Sequence, residues 1–316
     1  MSATALVQSL SASDALSVAR LFDVSGWVAV VTGGGTGLGL VTALALANNG
    51  AKVYITGRRL APLEEAAEAF AKASANGTKQ SNGHTNGHAH GAIVPVQADA
   101  STKEGIETLV AAIDDGWVNL LVNNHGVSLG CANINECEQT AAGISGHMFA
   151  GESFDAWLDT YRINTASYFF TTMALLPLLD AAKARFPEPG NVINISSMSG
   201  ITKTSQRGQF NYNASKAATI LLSHMLATEM ARRGLGIRVN VVCPGYFPTG
   251  MTVIPNESNT GSEAHTAEFR GKWGIPFGRP GNATDYAQCI FGLATNQYVT
   301  GAEMVIDGGW LLEAAF

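Results

Sequence analysis

The chain has 316 residues, 46% of them hydrophobic and 14% charged, with a net charge of −6. That length buries a substantial core in one large α/β domain, and the acidic balance argues against a nucleic-acid footprint. No apolar run approaches the ~20 residues that span a membrane, and Cys131, Cys137, Cys243 and Cys289 fit no C-x-x-C or zinc spacing, so they read as reduced thiols of a cytoplasmic protein.

Residues 1–24 read as an N-terminal extension before a single domain at 25–316. The extension lacks the basic region and long apolar core of a secretory signal, and Arg20 alone is too little positive charge for a transit peptide. Ser11 and Asp14, ahead of Ala15, Leu16, Val18 and Ala19, predict a short capped helix.

Trp27 to Val31 is an apolar run rich in β-branched residues and of strand length. It leads into Thr32, Gly33, Gly34, Gly35, Thr36, Gly37, Leu38 and Gly39, and an apolar helical pattern follows through Ala47. Glycines let the backbone turn sharply and approach a ligand closely. The helix start then offers N–H groups and partial positive charge to a pyrophosphate. The strict G-x-G-x-x-G pattern fails at Leu38. The pattern that fits is Thr-Gly-x-x-x-Gly-x-Gly on Thr32, Gly33, Gly37 and Gly39. Further strand-like runs lie near 52–56, 92–96, 118–123, 190–196, 236–242 and 302–306, alternating with helical patterns. This predicts a doubly wound, Rossmann-type parallel sheet of seven strands with helices on both faces and a ligand beyond the strands' carboxyl ends.

The second strand ends at Gly57, Arg58 and Arg59. An acidic residue there would meet a free ribose 2′-hydroxyl, whereas a guanidinium fork suits a 2′-phosphate. Basic residues opening a helix oppose its dipole, so the pair favours NADP(H) over NAD(H). Residues 78–90, with His84, His88 and His90, are polar and Gly/Asn-rich and read as a flexible insertion rather than a metal cluster. Residues 128–153 are long for their place. They hold Cys131, Glu136, Cys137, Glu138 and His147, and read as a lid or subunit-contact loop in preference to the alternative, a metal site. Residues 246–276 are expected to cover the substrate, and no metal is expected anywhere.

Tyr212 and Lys216 stand four apart, on one helix face. An ammonium beside a phenol favours phenolate, so Lys216 is expected to lower the Tyr212 pKa and ready it for proton exchange with an alcohol or carbonyl oxygen. Alone the pair is a weak signal. Upstream lie Ile195, Ser196 and Ser197, with Gly200 after them.

Taken together, these motifs resemble the short-chain dehydrogenase/reductase family across roughly residues 22–312. Asn123, Asn124, His125 and Gly126 stand where the family commonly has Asn-Asn-Ala-Gly, and Asp307, Gly308 and Gly309 close the core. The stretch from Pro244 to Thr252, with Arg279, Pro280 and Val299 to Gly301, is similar to 3-oxoacyl-carrier reductases, notably the branch associated with rhamnolipid synthesis. The resemblance implies a catalytic set of Asn164, Ser197, Tyr212 and Lys216. It implies NADP(H) contacts from Gly33, Gly35, Thr36, Gly37, Leu38, Gly39, Arg58 and Arg59. Further contacts would come from Asp99, Ala100, Asn124, Gly126, Tyr212, Lys216, Pro244, Gly245, Phe247 and Thr249. Ser197 lies 15 residues before Tyr212, and Ser199 lies 13, the commoner family spacing; Ser197 is preferred because Gly200 then keeps its place. His125, Met198 and Tyr246 are candidates to face the substrate.

The expected activity is reduction of a ketone or 3-oxoacyl group. Alcohol or polyol oxidation and a non-catalytic NADP sensor are the alternatives. The expected partners are a small carbonyl or alcohol and further copies of the chain, as a tetramer or dimer. Support for assembly comes from the apolar run Phe169, Phe170, Met173, Leu175 and Leu176, from Ile220, Leu221, Leu222, Met225 and Leu226, and from the apolar C-terminus.

Overall fold

In a computed structural model, residues 2–11, 15–77, 91–249, 270–271 and 274–313 are described. Seven strands form: β1 (Val28–Thr32), β2 (Lys52–Gly57), β3 (Ala92–Gln97), β4 (Leu120–Asn123), β5 (Asn191–Ile195), β6 (Arg238–Pro244) and β7 (Glu303–Ile306). They lie in one sheet ordered β3-β2-β1-β4-β5-β6-β7, every pair parallel. β1, β4, β5 and β6 are buried throughout. Burial along the whole length of the central strands fits a sheet covered on both faces.

Alternation along β1 separates the two faces. Ala29 and Val31 pack with Leu46, Ile55, Val122, Val242 and Ile290. That face is covered by α3 (Gly37–Asn48), α4 (Leu60–Gly77) and α10 (Ala283–Thr295). Val28 and Val30 pack with Tyr54, Leu109, Leu179, Leu226 and Met230 on the other face. There lie α5 (Lys103–Ala111), α8 (Ser167–Ala181) and α9 (Phe210–Arg232). A polar row crosses the middle of the sheet. Asn123 Nδ2 donates to Asn194 Oδ1 (2.9 Å) and Thr172 Oγ1 (3.2 Å), and Asn194 Nδ2 donates to Ser223 Oγ (2.8 Å). A one-residue slip of β4 against β5 would break this row, so the asparagines fix register where apolar packing alone would not.

β1 pairs with both β2 and β4. The chain runs outward to β3 and then returns, which opens a crevice at the carboxyl ends of β1 and β4.

The N-terminal extension differs from expectation. Ala3–Ser11 forms α1, and the short helix that follows is α2 (Val18–Leu21). Ser17 caps α2, its Oγ accepting from the Arg20 N–H (3.3 Å). Ser11 therefore ends one helix rather than capping the next, and Asp14 lies outside the described residues, as do the insertion 78–90 and most of the expected cover. Residues 128–153 are not a plain loop. They contain a 3-10 turn, Ile134–Glu136, and α6 (Ala141–Gly151), capped by the Thr140 hydroxyl on the Gly143 N–H (3.1 Å). Glu136 accepts from Asn133 (2.8 Å), and among the described residues no three of His, Cys, Asp and Glu gather as a metal group would require. No helix among them is long and apolar enough to cross a membrane.

Candidate active site

A cavity of about 760 Å³ opens at the carboxyl ends of the strands. Its first wall is the glycine turn. Gly33 and Gly37 sit at φ +65° and +55°, and Gly33 N–H donates to Thr56 O (2.8 Å), folding the turn over β2. Thr36 precedes α3 without making a side-chain cap. Among the described residues no side chain caps the first-turn N–H groups beside Gly35, Thr36, Gly37 and Leu38, which line the cavity. This is a cradle that fits a pyrophosphate. Gly39 is not part of the lining. A Cβ there would overlap the Gly33 carbonyl oxygen and Asn124 Nδ2, so the missing side chain of Gly39 lets the turn pack closely onto the start of α3. Asn124 holds the turn from the other side, its Nδ2 donating to Thr32 O (3.0 Å) and Gly33 O (3.3 Å).

At the far end Arg58, Arg59, Asp99, Ala100 and Ser101 line the wall. Burial works to raise the Asp99 carboxyl, but bonds from the Ser101 hydroxyl (2.7 Å) and N–H (2.9 Å), with the charges of Arg58 and Arg162, bring it below the usual aspartate value. Two guanidinium groups beside an ionised carboxylate fit the ribose end of a phosphorylated dinucleotide.

The third wall carries the proton-active groups. α9 presents Tyr212 and Lys216 one turn apart, and both line the cavity with Ser196 and Ser197. Gly200 permits this approach, because a Cβ there would come within 2.6 Å of the Lys216 backbone. Lys216 Nζ donates to Ile195 O (2.9 Å), and Ser196 Oγ donates to Lys216 O (2.7 Å). Ser197 hydrogen-bonds the Tyr212 phenol and accepts from the Ser199 N–H (3.1 Å), whereas Ser199 is buried away from the cavity. The expected lowering of the Tyr212 pKa is not found. Burial pushes the phenol above the ordinary tyrosine value, and the Ser197 bond offsets only part of that. The Lys216 nitrogen stands 5.9 Å from the Tyr212 ring centre and donates to Ile195 O, and burial brings its own pKa down to about 8.

Asn164 occupies a π-turn, Arg162–Ala166, between α7 (Phe154–Tyr161) and α8. It is fully buried and does not line the cavity. Its Nδ2 donates to Val127 O (2.9 Å) and Ser215 Oγ (3.1 Å), and its Oδ1 accepts from Val127 N–H (2.8 Å). It stands behind Lys216 and fixes the segment after β4. Pro244, Gly245, Phe247 and Thr249 complete the rim. Gly245 lies so near Asp307 that a Cβ would come within 2.6 Å of its Cα, and Phe247 rests edge-on against Tyr286 (5.7 Å).

Sequence patterns missed several lining residues, among them Val127, Leu129 and Ile163, which are ordinary apolar residues to any motif. Met198 and Tyr246 are not part of the lining, but His125 is. Its Nδ1 lies 2.7 Å from Thr32 Oγ1 and its Nε2 lies 2.7 Å from Ser167 Oγ. Ser167 donates to Ile163 O (2.7 Å), so Nε2 carries the proton and Nδ1 accepts from Thr32. Burial, and then the nearby Lys216 charge, bring His125 down to about 3, so it is neutral, with a hydroxyl at each ring nitrogen. The only signal for it was the departure from alanine.

Comparison with known proteins agrees with this geometry. A family model described as short chain dehydrogenase matches residues 27–259. The short-chain dehydrogenase/reductase PhomF of Diaporthe leptostromiformis is 35% identical over 319 residues, covering 96% of this chain and 97% of the relative. The rhamnolipids biosynthesis 3-oxoacyl-[acyl-carrier-protein] reductase of Pseudomonas aeruginosa is 32% identical over 295 residues, covering 92% and 98%. A solved Pseudomonas aeruginosa RhlG/NADP active-site complex superposes with a TM-score of 0.71 at 31% identity, over 92% of this chain and 98% of that one.

Proposed function

Since the chain belongs to the short-chain dehydrogenase/reductase family, we propose that it is an NADP(H)-dependent oxidoreductase that reduces a ketone or 3-oxoacyl group. The observation that carries this reading is the meeting of Ser197, Tyr212 and Lys216 on one wall of a cavity whose other walls are a glycine turn and two arginines. The turn residues Gly33 to Leu38 would hold the pyrophosphate, Arg58 and Arg59 the 2′-phosphate, and Pro244 to Thr249 the nicotinamide end. NADP(H), when bound, supplies or accepts the hydride. The protein's part is proton transfer and placement. Tyr212, kept protonated by burial, gives its proton to the oxygen of the carbonyl. Ser197 hydrogen-bonds that oxygen, and Lys216 steadies the phenol as its charge develops. Asn164 holds Lys216's surroundings in place. Alcohol oxidation is the same path reversed. The four cysteines are free, which fits the cytoplasm. NADPH consumption against 3-oxoacyl thioesters, cyclic ketones, diketones and keto-sugars tests the reading, and no turnover on any of them would overturn it.

Two expectations attach to this reading. Arg58→Ala should weaken NADPH by about tenfold to a hundredfold and leave NADH nearly unchanged, because only the phosphorylated ribose uses a charge-assisted fork. Equal weakening of both cofactors, in fluorescence titrations, would remove Arg58 from that role. The chain should also self-associate, as a tetramer or dimer. Phe154, Leu158, Leu221 and Met225 on α7 and α9 are 89%, 66%, 61% and 57% exposed, more apolar surface than a lone subunit tolerates well. Leu175, Ile220 and Leu226, by contrast, are spent in the chain's own core. Light scattering at the mass of one 33.0 kDa chain, at every concentration, would exclude assembly.

A further inference from the structure

Two stretches depart from the family's spacing: the long segment after β4, and the two extra residues between Ser197 and Tyr212. The structure brings them together. Ile134 N–H donates to Arg207 O (3.1 Å). Gly208 has room for no side chain, since a Cβ would overlap the Ala132 carbonyl oxygen. Gln206 and Arg207, neither of them glycine, both take left-handed backbone (φ 50° and 75°), which persists only where surroundings over-determine it.

One side chain secures the contact. Glu152 sits in the joint between α6 and α7. Its Oε1 accepts from the Ala132 N–H (2.9 Å) and its Oε2 from the Trp157 indole N–H (2.8 Å). Five residues earlier Val127 is held at both its N–H and its carbonyl by Asn164. The strap from Ser128 to Cys131 is therefore tied at each end, and Ser128 and Leu129 within it line the same cavity as Tyr212.

Resting on the carbonyl-reducing reading, we infer that Glu152 is a positioning residue that clamps residues 128–136 onto the 205–209 turn and thereby fixes the substrate wall of the cavity. The segment it sets gives the cavity Ser128 and Leu129, and with Val127 and Ile163 in the same lining it favours carbonyls flanked by hydrocarbon. Glu152 touches neither the cofactor turn nor the proton-active groups, so its effect falls on substrate fit alone.

Glu152→Gln tests this. The amide keeps the shape but opposes one N–H donor with its own. Steady-state kinetics should show the carbonyl KM rising about tenfold, kcat falling less than about threefold, and the NADPH KM unchanged. The Trp157 indole N–H resonance should move in the same variant, reporting loss of its carboxylate partner. Gly208→Ala presses the same contact from the other side and should give the same KM signature, which keeps the test open if Glu152→Gln folds poorly. An unmoved indole resonance, or an unchanged carbonyl KM in both variants of an active chain, overturns the clamp. A parent chain that consumes no NADPH with any carbonyl overturns the functional reading instead, and the clamp with it.

Discussion

Tyr212→Phe should lower kcat by about a thousandfold and leave the NADPH dissociation constant within about twofold of the parent. The phenol's oxygen meets Ser197, while the ring fills the wall between Ser197 and Lys216, so removing the oxygen takes away the proton and little packing. Burial raises the Tyr212 pKa, which makes it a held acid at neutral pH rather than a standing phenolate. That suits delivery of a proton to a carbonyl oxygen. Rapid-mixing measurement of NADPH consumption, paired with a fluorescence titration for binding, separates the two effects. Comparable kcat in the variant and the parent would end the assignment of Tyr212 as the proton donor, and a large loss of binding would mean the hydroxyl serves the cofactor as well.

Gly39→Ala should damage the cofactor turn from beneath. The added methyl would collide with the Gly33 carbonyl oxygen and Asn124 Nδ2, and neither can swing away. Both belong to the bonds that hold the turn against β4. Overpacking of this kind costs about 2 kcal/mol, a fall in melting temperature of a few degrees for a chain of this size (about 2–4 °C per kcal/mol in somewhat shorter domains). A displaced turn loses N–H bonds to the charged pyrophosphate and should weaken NADPH by about tenfold to a hundredfold. Calorimetric melting and a binding titration check the two figures. Unchanged affinity in a folded variant would show that the turn yields without loss, and that the absent Cβ matters less than its surroundings imply.

The sheet was legible from the sequence because buried parallel strands are written as short β-branched runs between glycine-marked turns. All seven strands fall within two residues or so of where those runs begin and end. The glycine turn, Arg58, Asp99, Tyr212 and Lys216 were legible for a related reason, since each belongs to a local pattern of fixed spacing. What escaped was whatever depends on contact across the chain. Glu152 and Ala132 are twenty residues apart, and nothing in either neighbourhood predicts their bond. α6 is rich in glycine and alanine and has no clear apolar face, so it did not announce itself as a helix. The direction of the Tyr212 pKa depended on how far the ring is buried and where the Lys216 nitrogen points, and spacing along a helix carries neither. Gly39 matched the family pattern, but the space that its missing side chain leaves under the turn is visible only in the fold.

The strand order also sets a timetable for the nascent chain. The turn at Gly33 is made early, but its opposite wall waits for Tyr212 and Pro244. At ~5–20 residues per second the interval from Gly33 to Tyr212 is roughly ten to forty seconds. β1 must wait for Leu120 before its second neighbour exists, and β4, entirely apolar but for Asn123, must wait for Asn191. During each wait an unpaired hydrophobic edge faces the crowded cell, the condition under which parallel sheets aggregate. Yield in expression should therefore follow translation speed and chaperone supply more closely than it follows the melting temperature of the finished protein.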